Sequence, residues 1–176
     1  MPLFSRSQNG MALLVSLVFL LLLSLIGVAS MISAAQQEKL AGSVQHVNHS
    51  FQAAESALRR GESWLQIEWS GVLACTSPAS CNPPVVSRTQ LSPGIDPISG
   101  VRWIQTPDGL YGIQSLGRSI APPDLPMTTS TRLYRVTGIG LRGQSRTVLE
   151  SIYGHYQGGG DSSPPYFRRT MWRQIQ

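Results

Sequence analysis

The residues able to carry metal chemistry in this chain are few. His46 and His49 lie three positions apart, which places them on one face of a helix, where they could share a metal ion. A structural zinc site needs four ligands, and no third ligand stands in register with these two histidines. We interpret the pair as part of a solvated polar helix face, so the sequence predicts no metal and no cofactor.

Residues typical of catalytic sites form no recognisable pattern. His155 lies near a predicted strand end without a sequence neighbour that suggests a general base, and each aspartate stands beside Gly, Pro or Ser, as turn-forming aspartates do. No calcium loop, GxSxG motif or phosphate-binding glycine loop occurs. We predict that the chain is not an enzyme. The alternative, an anchored hydrolase with a scattered site, would need a base close to a Ser or Cys nucleophile.

The chain has two cysteines, Cys75 and Cys81, in a loop-forming segment rich in Ser and Pro. Their spacing does not fit the CxxC redox motif, and no two further ligands complete a zinc site. In an exported domain we expect the two cysteines to pair. Closing so short a ring contributes about 2 kcal/mol in the chain-entropy account.

The elements that must position these residues begin with an apolar run, Met11–Ile32. A helix over this run is about 33 Å long, the thickness of a bilayer core. The run exceeds the apolar region of a cleaved signal peptide, although residues 33–35 resemble a cleavage site and keep that alternative open. Arg6 precedes the run, which favours a cytoplasmic N-terminus with the bulk of the chain outside.

The helical pattern continues beyond the apolar run. Apolar residues recur at steps of four and three, which keeps them on one helix face: Leu40, Val44, Val47, Phe51, Ala54 and Leu58. This spacing predicts one helix from Met11 to roughly Leu65. Residues 11–35 form its transmembrane half, and residues 36–68 form its amphipathic half.

Two predicted hairpins follow in a globular head, residues 69–157. Val101–Thr106 and Leu110–Leu116 flank a Pro-Asp-Gly turn, and Leu133–Leu141 and Arg146–Tyr156 flank a second turn. Four strands after one long helix predict an α+β fold, with an antiparallel sheet packed on the amphipathic half of the helix.

Residues 158–176 are predicted to form a flexible linker and an arginine- and aromatic-rich tail. The candidate partner-docking residues of this tail are Tyr166, Phe167, Arg168, Arg169, Trp172 and Arg173. Three interpretations stay open: a last edge strand or helical turn packed on the head, a docking surface for a partner subunit, and a nucleic-acid site. The patch is small, and the other arginines are scattered, which argues against nucleic acid.

The N-terminal region resembles the type IV pilins. Gly10, between a polar stub and the apolar helix, is similar to their class III signal, and residues 36–42 and 51–59 resemble the PilX-type minor pilins. Residues 134–138 and 148–153 carry a weaker resemblance. The resemblance at Gly10 implies that a prepilin peptidase removes the leader, residues 1–10, and that Met11 is then methylated.

The resemblance also implies a fold, a location and partners. The fold is pilin-like, and the chain spans the inner membrane once with its head in the periplasm before it enters the pilus. The implied partners are the major pilin and other minor pilins, with a large tip adhesin as a further candidate. The implied function is to help prime pilus assembly at or near the tip, in support of twitching motility and adhesion. The alternatives are a minor pseudopilin of a type II secretion system and a signal-anchored periplasmic adhesive module.

Val15 departs from the family pattern. Major pilins carry glutamate as the fifth residue of the mature chain, where it is thought to neutralise the terminal ammonium of a neighbouring subunit, and here that residue is Val15. A carboxylate at mid-membrane costs about 2.5–3.5 kcal/mol, so a pilin that keeps one has a use for it. The resemblance and this departure together predict a minor subunit near the filament tip.

Overall fold

A computed structural model describes residues 9–120, 130–157 and 164–175. The described chain begins with one continuous helix, α1 (Asn9–Glu68), which confirms the predicted long helix. The chain divides into two compact units, one up to Val44 and one from Gln45 onward.

The N-terminal unit consists of the first part of α1, whose side chains from Met11 to Ala41 are all exposed. By length and composition this part of the helix is able to cross a membrane. Three hydroxyls in the apolar run are satisfied internally, because Ser16, Ser24 and Ser30 each donate to a carbonyl three or four residues earlier in the helix. In an apolar solvent a polar group must find its hydrogen-bond partner within the protein.

The second unit is a head built on one antiparallel sheet. The strands are β1 (Gly94–Ile95), β2 (Arg102–Thr106), β3 (Gly109–Ser119), β4 (Thr131–Arg142), β5 (Ser145–Gln157) and β6 (Pro165–Gln174). They pair in chain order, so the sheet is a simple meander. Short helical turns lie at Trp69–Gly71 and Val85–Arg88, and a short helix, α2, lies at Pro78–Cys81. The α+β class is therefore confirmed.

The prediction of about four strands was wrong, because the sheet has six. The two predicted hairpins correspond to β2–β3 and β4–β5. β1 has two residues and cannot show alternation, and β6 is mostly exposed along its length. A strand with neither face fully buried lacks the apolar period of two that sequence patterns rely on. The segment from Pro165 onward is thus part of the sheet, and the predicted linker before it, residues 158–163, lies outside the described residues.

The part of α1 from Ser50 to Leu58 lies very close to β4. Methyl groups added at Gly138 or Gly140 would run into the α1 backbone at Ala54 and Ser50. These two glycines allow Ala54 and Leu58 to enter a core with Tyr134 and other residues of β4 and β5. A second cluster lies on the opposite face of the sheet and comprises Val101, Trp103, Leu110, Ile139 and Val148.

Candidate functional site

The predicted site residues fall into three separate places. Gly10, Met11 and Val15 lie in the first turns of α1, whereas Cys75 and Cys81 lie in the head. The six tail residues all belong to β6.

At the start of α1 the backbone is already helical at Gly10. The side chains of Met11 and Val15 are 71% and 63% exposed, and they belong to an apolar surface that continues to Ile32. The surface of the helix is apolar here, and position 15 carries no carboxylate. Residues 1–8 of the predicted leader lie outside the described residues.

Cys75 and Cys81 are joined by a disulfide, with their Cα atoms 5.2 Å apart. The loop between them is ordered locally, because Ser77 caps α2 and exchanges hydrogen bonds with Ser80. The backbone N–H of Cys75 donates to the Ser115 carbonyl of β3, at 2.9 Å. The disulfide loop is thereby attached to the sheet at its first cysteine.

A buried ionic network attaches the other end of this loop. The Glu150 side chain, on β5, is fully buried, and its Oε2 lies 2.9 Å from Arg135 Nε on β4. Arg135 also donates through Nη1 to the Cys81 carbonyl at 2.8 Å and to Gln114 Oε1 at 2.6 Å. Gln114 in turn donates to the carbonyls of Ser80 and Asn82.

The same carboxylate holds the last strand. Arg173 on β6 places Nη2 at 2.8 Å and Nε at 3.0 Å from Glu150 Oε1. Glu150 thus receives two arginines, one from each neighbouring strand. A continuous set of polar contacts runs from β6 through β5, β4 and β3 to the disulfide loop.

On the helix face β6 makes a second set of contacts. Arg169 Nη1 lies 3.5 Å from the buried Oε1 of Glu62, a residue of α1. Tyr153 lies beside the same carboxylate, and its burial, with the charge of Glu62, raises the pKa of the tyrosine to about 12. Tyr153 therefore stays protonated and can donate a hydrogen bond to Glu62.

Phe167 closes an aromatic stack near the end of α1. The rings of Trp69 and His155 are stacked with centroids 4.0 Å apart. The ring of Phe167 is tilted against that of His155, with centroids 4.8 Å apart. The guanidinium of Arg132 lies 5.6 Å from the centre of the Trp69 ring. Burial, and then the charge of Arg132, lower the pKa of His155. A neutral imidazole suits this apolar site.

The predicted docking residues are thus brought together on one strand but have unequal roles. Phe167 packs inward, and Arg169 and Arg173 already hold carboxylates of the head. Tyr166 and Trp172 stay 48% and 45% exposed. Sequence reasoning missed the acidic partners, Glu62 and Glu150. The available signal was Glu150 itself, a charged residue between the apolar residues Leu149 and Ile152 of β5.

An open groove runs beside β6. It has a volume of about 420 Å³ and is lined by Glu55, Arg59, Glu62, Tyr153, Arg169 and Trp172. The ring of Trp172 meets Phe51 of α1 edge-on, with centroids 6.4 Å apart. Among the described residues no further strand lies on the outer side of β6.

His46 and His49 lie on the second unit's part of α1, and both are exposed. Within the described residues, no group of three or more His, Cys, Asp or Glu side chains is placed to hold a metal ion. The two histidines therefore occupy a solvent-facing part of the helix.

One comparison with known proteins gives a match. The family described as PilX N-terminal matches residues 9–59, less than a third of the chain. The match is consistent with a PilX-type type IV pilin and confirms the resemblance seen in the sequence. No match is found among curated proteins or among solved structures.

Proposed function

Because residues 9–59 carry the PilX N-terminal segment of type IV pilins, we propose that the chain is a minor pilin that helps to prime pilus assembly at or near the filament tip. Pilins are structural subunits, and their apolar N-terminal helix serves as a single-pass membrane anchor, which the first part of α1 fits. In this proposal the head lies in the periplasm until the subunit enters the pilus, where it supports motility and adhesion.

The observation that carries the tip position is Val15. A subunit without a carboxylate at this position cannot neutralise the terminal ammonium of a neighbour inside the apolar filament core. An unpaired ammonium in an apolar medium is costly. Such a subunit is therefore unsuited to repeat along the filament, but it can serve as the first subunit.

The first test is the N-terminus of the protein purified from membranes. Cleavage after Gly10 leaves a chain that begins with methylated Met11, and intact-mass analysis detects both changes. A chain that begins at Gln36 would instead establish an ordinary cleaved signal peptide and would remove the anchor.

The second test is the abundance of the subunit in sheared pili, measured by quantitative mass spectrometry against the major pilin. We expect few copies per filament, and fewer pili after deletion of the gene. Abundant protein along the shaft would contradict the priming role. Recovery with a secretion apparatus instead of pili would favour the pseudopilin alternative, which shares the helix and the sheet.

The third test is Val15→Glu, with Val15→Gln as a matched uncharged control. The glutamate variant should still insert, because a cost of about 2.5–3.5 kcal/mol is small against the rest of the apolar run. It should raise the number of copies per pilus, and the glutamine variant should not. If both variants leave the copy number unchanged, position in the filament is set by the head and not by Val15.

The proposed partners follow from the same assignment. They are the prepilin peptidase during processing, and the major pilin, other minor pilins and a large tip adhesin during assembly. The exposed part of β6 is the proposed contact surface of the head, through Tyr166 and Trp172.

A further inference from the structure

The outer edge of β6 is long, and no other strand of the described residues pairs with it. β6 has ten residues, whereas the strand at the other edge of the sheet, β1, has two. An edge strand presents unpaired backbone N–H and C=O groups, and these can hydrogen-bond to an added strand. Ten residues of open edge are enough to accept a strand of ordinary length.

The register of β6 identifies which backbone groups face outward. The N–H of Ile175 donates to the Val148 carbonyl at 2.9 Å, so these two residues form a hydrogen-bonded pair. Such pairs alternate along an antiparallel ladder, and the register from Ile175 to Met171 is uninterrupted. The N–H and C=O groups of Trp172 and Gln174 therefore point away from β5.

The charge of β6 restricts what can pair with it. The strand carries Arg168, Arg169 and Arg173 and no acidic residue. Two β6 strands from identical chains would bring six arginines to one seam, and neither strand would add a carboxylate opposite the arginines of the other; like charges across a strand pair are destabilising. Arg169 and Arg173 stay about half-exposed while they contact Glu62 and Glu150. Each guanidinium has five donors, so each can donate to a further carboxylate, Arg169 on the helix face of the sheet and Arg173 on the opposite face.

We propose that the free edge of β6 accepts, by strand addition, an extended acidic segment from a different pilus subunit. The backbone ladder supplies affinity, and acidic side chains on the face of the added strand that meets Arg173 supply selectivity. The groove between α1 and β6 receives side chains from the other face of the added strand, next to Trp172. The identity of the partner as a pilus subunit rests on the proposed function, whereas the mode of binding does not.

The direct test uses the processed full-length chain in detergent micelles and a labelled nine-residue peptide in which glutamate alternates with threonine or valine. Two comparison peptides have lysine for glutamate, or backbone N-methylation at alternate residues. We expect the acidic peptide to bind and to protect residues 165–174 from hydrogen exchange. Both comparison peptides should bind about tenfold more weakly. Failure of the acidic peptide to bind, or equal binding by either comparison peptide, would overturn strand addition to an acidic segment.

A pair of variants tests the edge itself. Gln174→Pro removes an outward N–H and leaves the Ile175 bond to Val148 in place, because proline is tolerated where a strand needs no donor. Gln174→Ala keeps that N–H. The proline variant should bind the acidic peptide about tenfold more weakly, and the alanine variant within about twofold. Equal loss in both variants would place the contact on the glutamine side chain and contradict strand addition.

Two further measurements separate the competing outcomes. If sedimentation shows a dimer that Gln174→Pro abolishes, the occupant of the edge is a second copy and the acidic partner is wrong. A chain that binds the peptide but never appears in sheared pili would contradict the proposed function and leave strand addition standing. A chain present in pili that fails to bind the acidic peptide would contradict strand addition alone.

Discussion

Replacing Glu150 with glutamine removes the only carboxylate shared by Arg135 and Arg173 in the described contacts. The side chain of Glu150 is fully buried, and that of Arg135 is 10% exposed. Glutamine has nearly the same shape, so the change removes charge and leaves volume almost unaltered. The variant therefore isolates the ionic contribution of the network to the stability of the head.

The magnitude follows from burial. Breaking a buried ion pair from one side leaves the other charge uncompensated and costs about 3–5 kcal/mol. Nearly all of this cost falls on Arg135, because Arg173 is 49% exposed and can be rehydrated. For a domain of this size 1 kcal/mol shifts Tm by roughly 3–5 °C, so we expect Glu150→Gln to lower Tm by about 10–20 °C.

Thermal unfolding should be followed by near-ultraviolet circular dichroism on the full chain in micelles. This signal reports buried aromatic residues of the head such as Trp103 and Tyr134, whereas the far-ultraviolet signal is dominated by α1. Arg173→Gln is the matched control, because it leaves Glu150 paired with Arg135. We expect it to cost only about 1 kcal/mol, since its guanidinium is half-exposed.

A loss of less than about 1 kcal/mol for Glu150→Gln would refute this reasoning, because a buried arginine would then be tolerated without its counter-charge. Equal losses for Glu150→Gln and Arg173→Gln would refute it as well, because the cost would then lie at the surface. Replacing Arg135 and Glu150 together with Met and Leu should cost less than Glu150→Gln alone, as both buried charges are gone.

Three further predictions concern packing, the disulfide and pH. Gly140→Ala should destabilise the head by about 1–3 kcal/mol through its clash with the α1 backbone, whereas Gly71→Ala, with open space around it, should be neutral in the same melts. Cys75→Ser with Cys81→Ser should cost about 2 kcal/mol, and a reductant should then have no further effect on Tm. Because burial lowers the pKa of His155 below 6.5, the unfolded chain binds the proton more readily. The contribution of neutral His155 to the free energy of unfolding should be fully present above about pH 6.5 and should be lost as pH drops through the folded pKa. His155→Phe should remove this part of the pH dependence.

The elements set by local pattern were predictable from the sequence. The spacing from Leu40 to Leu58 gives a helix face directly, because a 3.6-residue period repeats within a few turns. The structure extends that helix to Asn9–Glu68 and places its buried side chains against β4 and β5. The second hairpin could also be predicted, because a turn segment containing Gly143 lies between two strand-like segments. In the structure Gly143 has a φ of 58°, which favours glycine.

Only the tertiary structure shows which carboxylates the C-terminal arginines contact. Nothing near Arg173 in sequence reveals that its partner is Glu150, 23 residues earlier, because the contact exists only after β5 and β6 pair in one register. The same holds for Arg169 and Glu62, which meet where β6 passes α1. Sequence determined the apolar helix, the departure at Val15 and the hairpins, whose causes are local. A last edge strand was one of the three interpretations of the tail, but its register against β5 and its ion pairs depend on which distant residues the folded chain brings into contact, and the local sequence pattern does not encode those contacts.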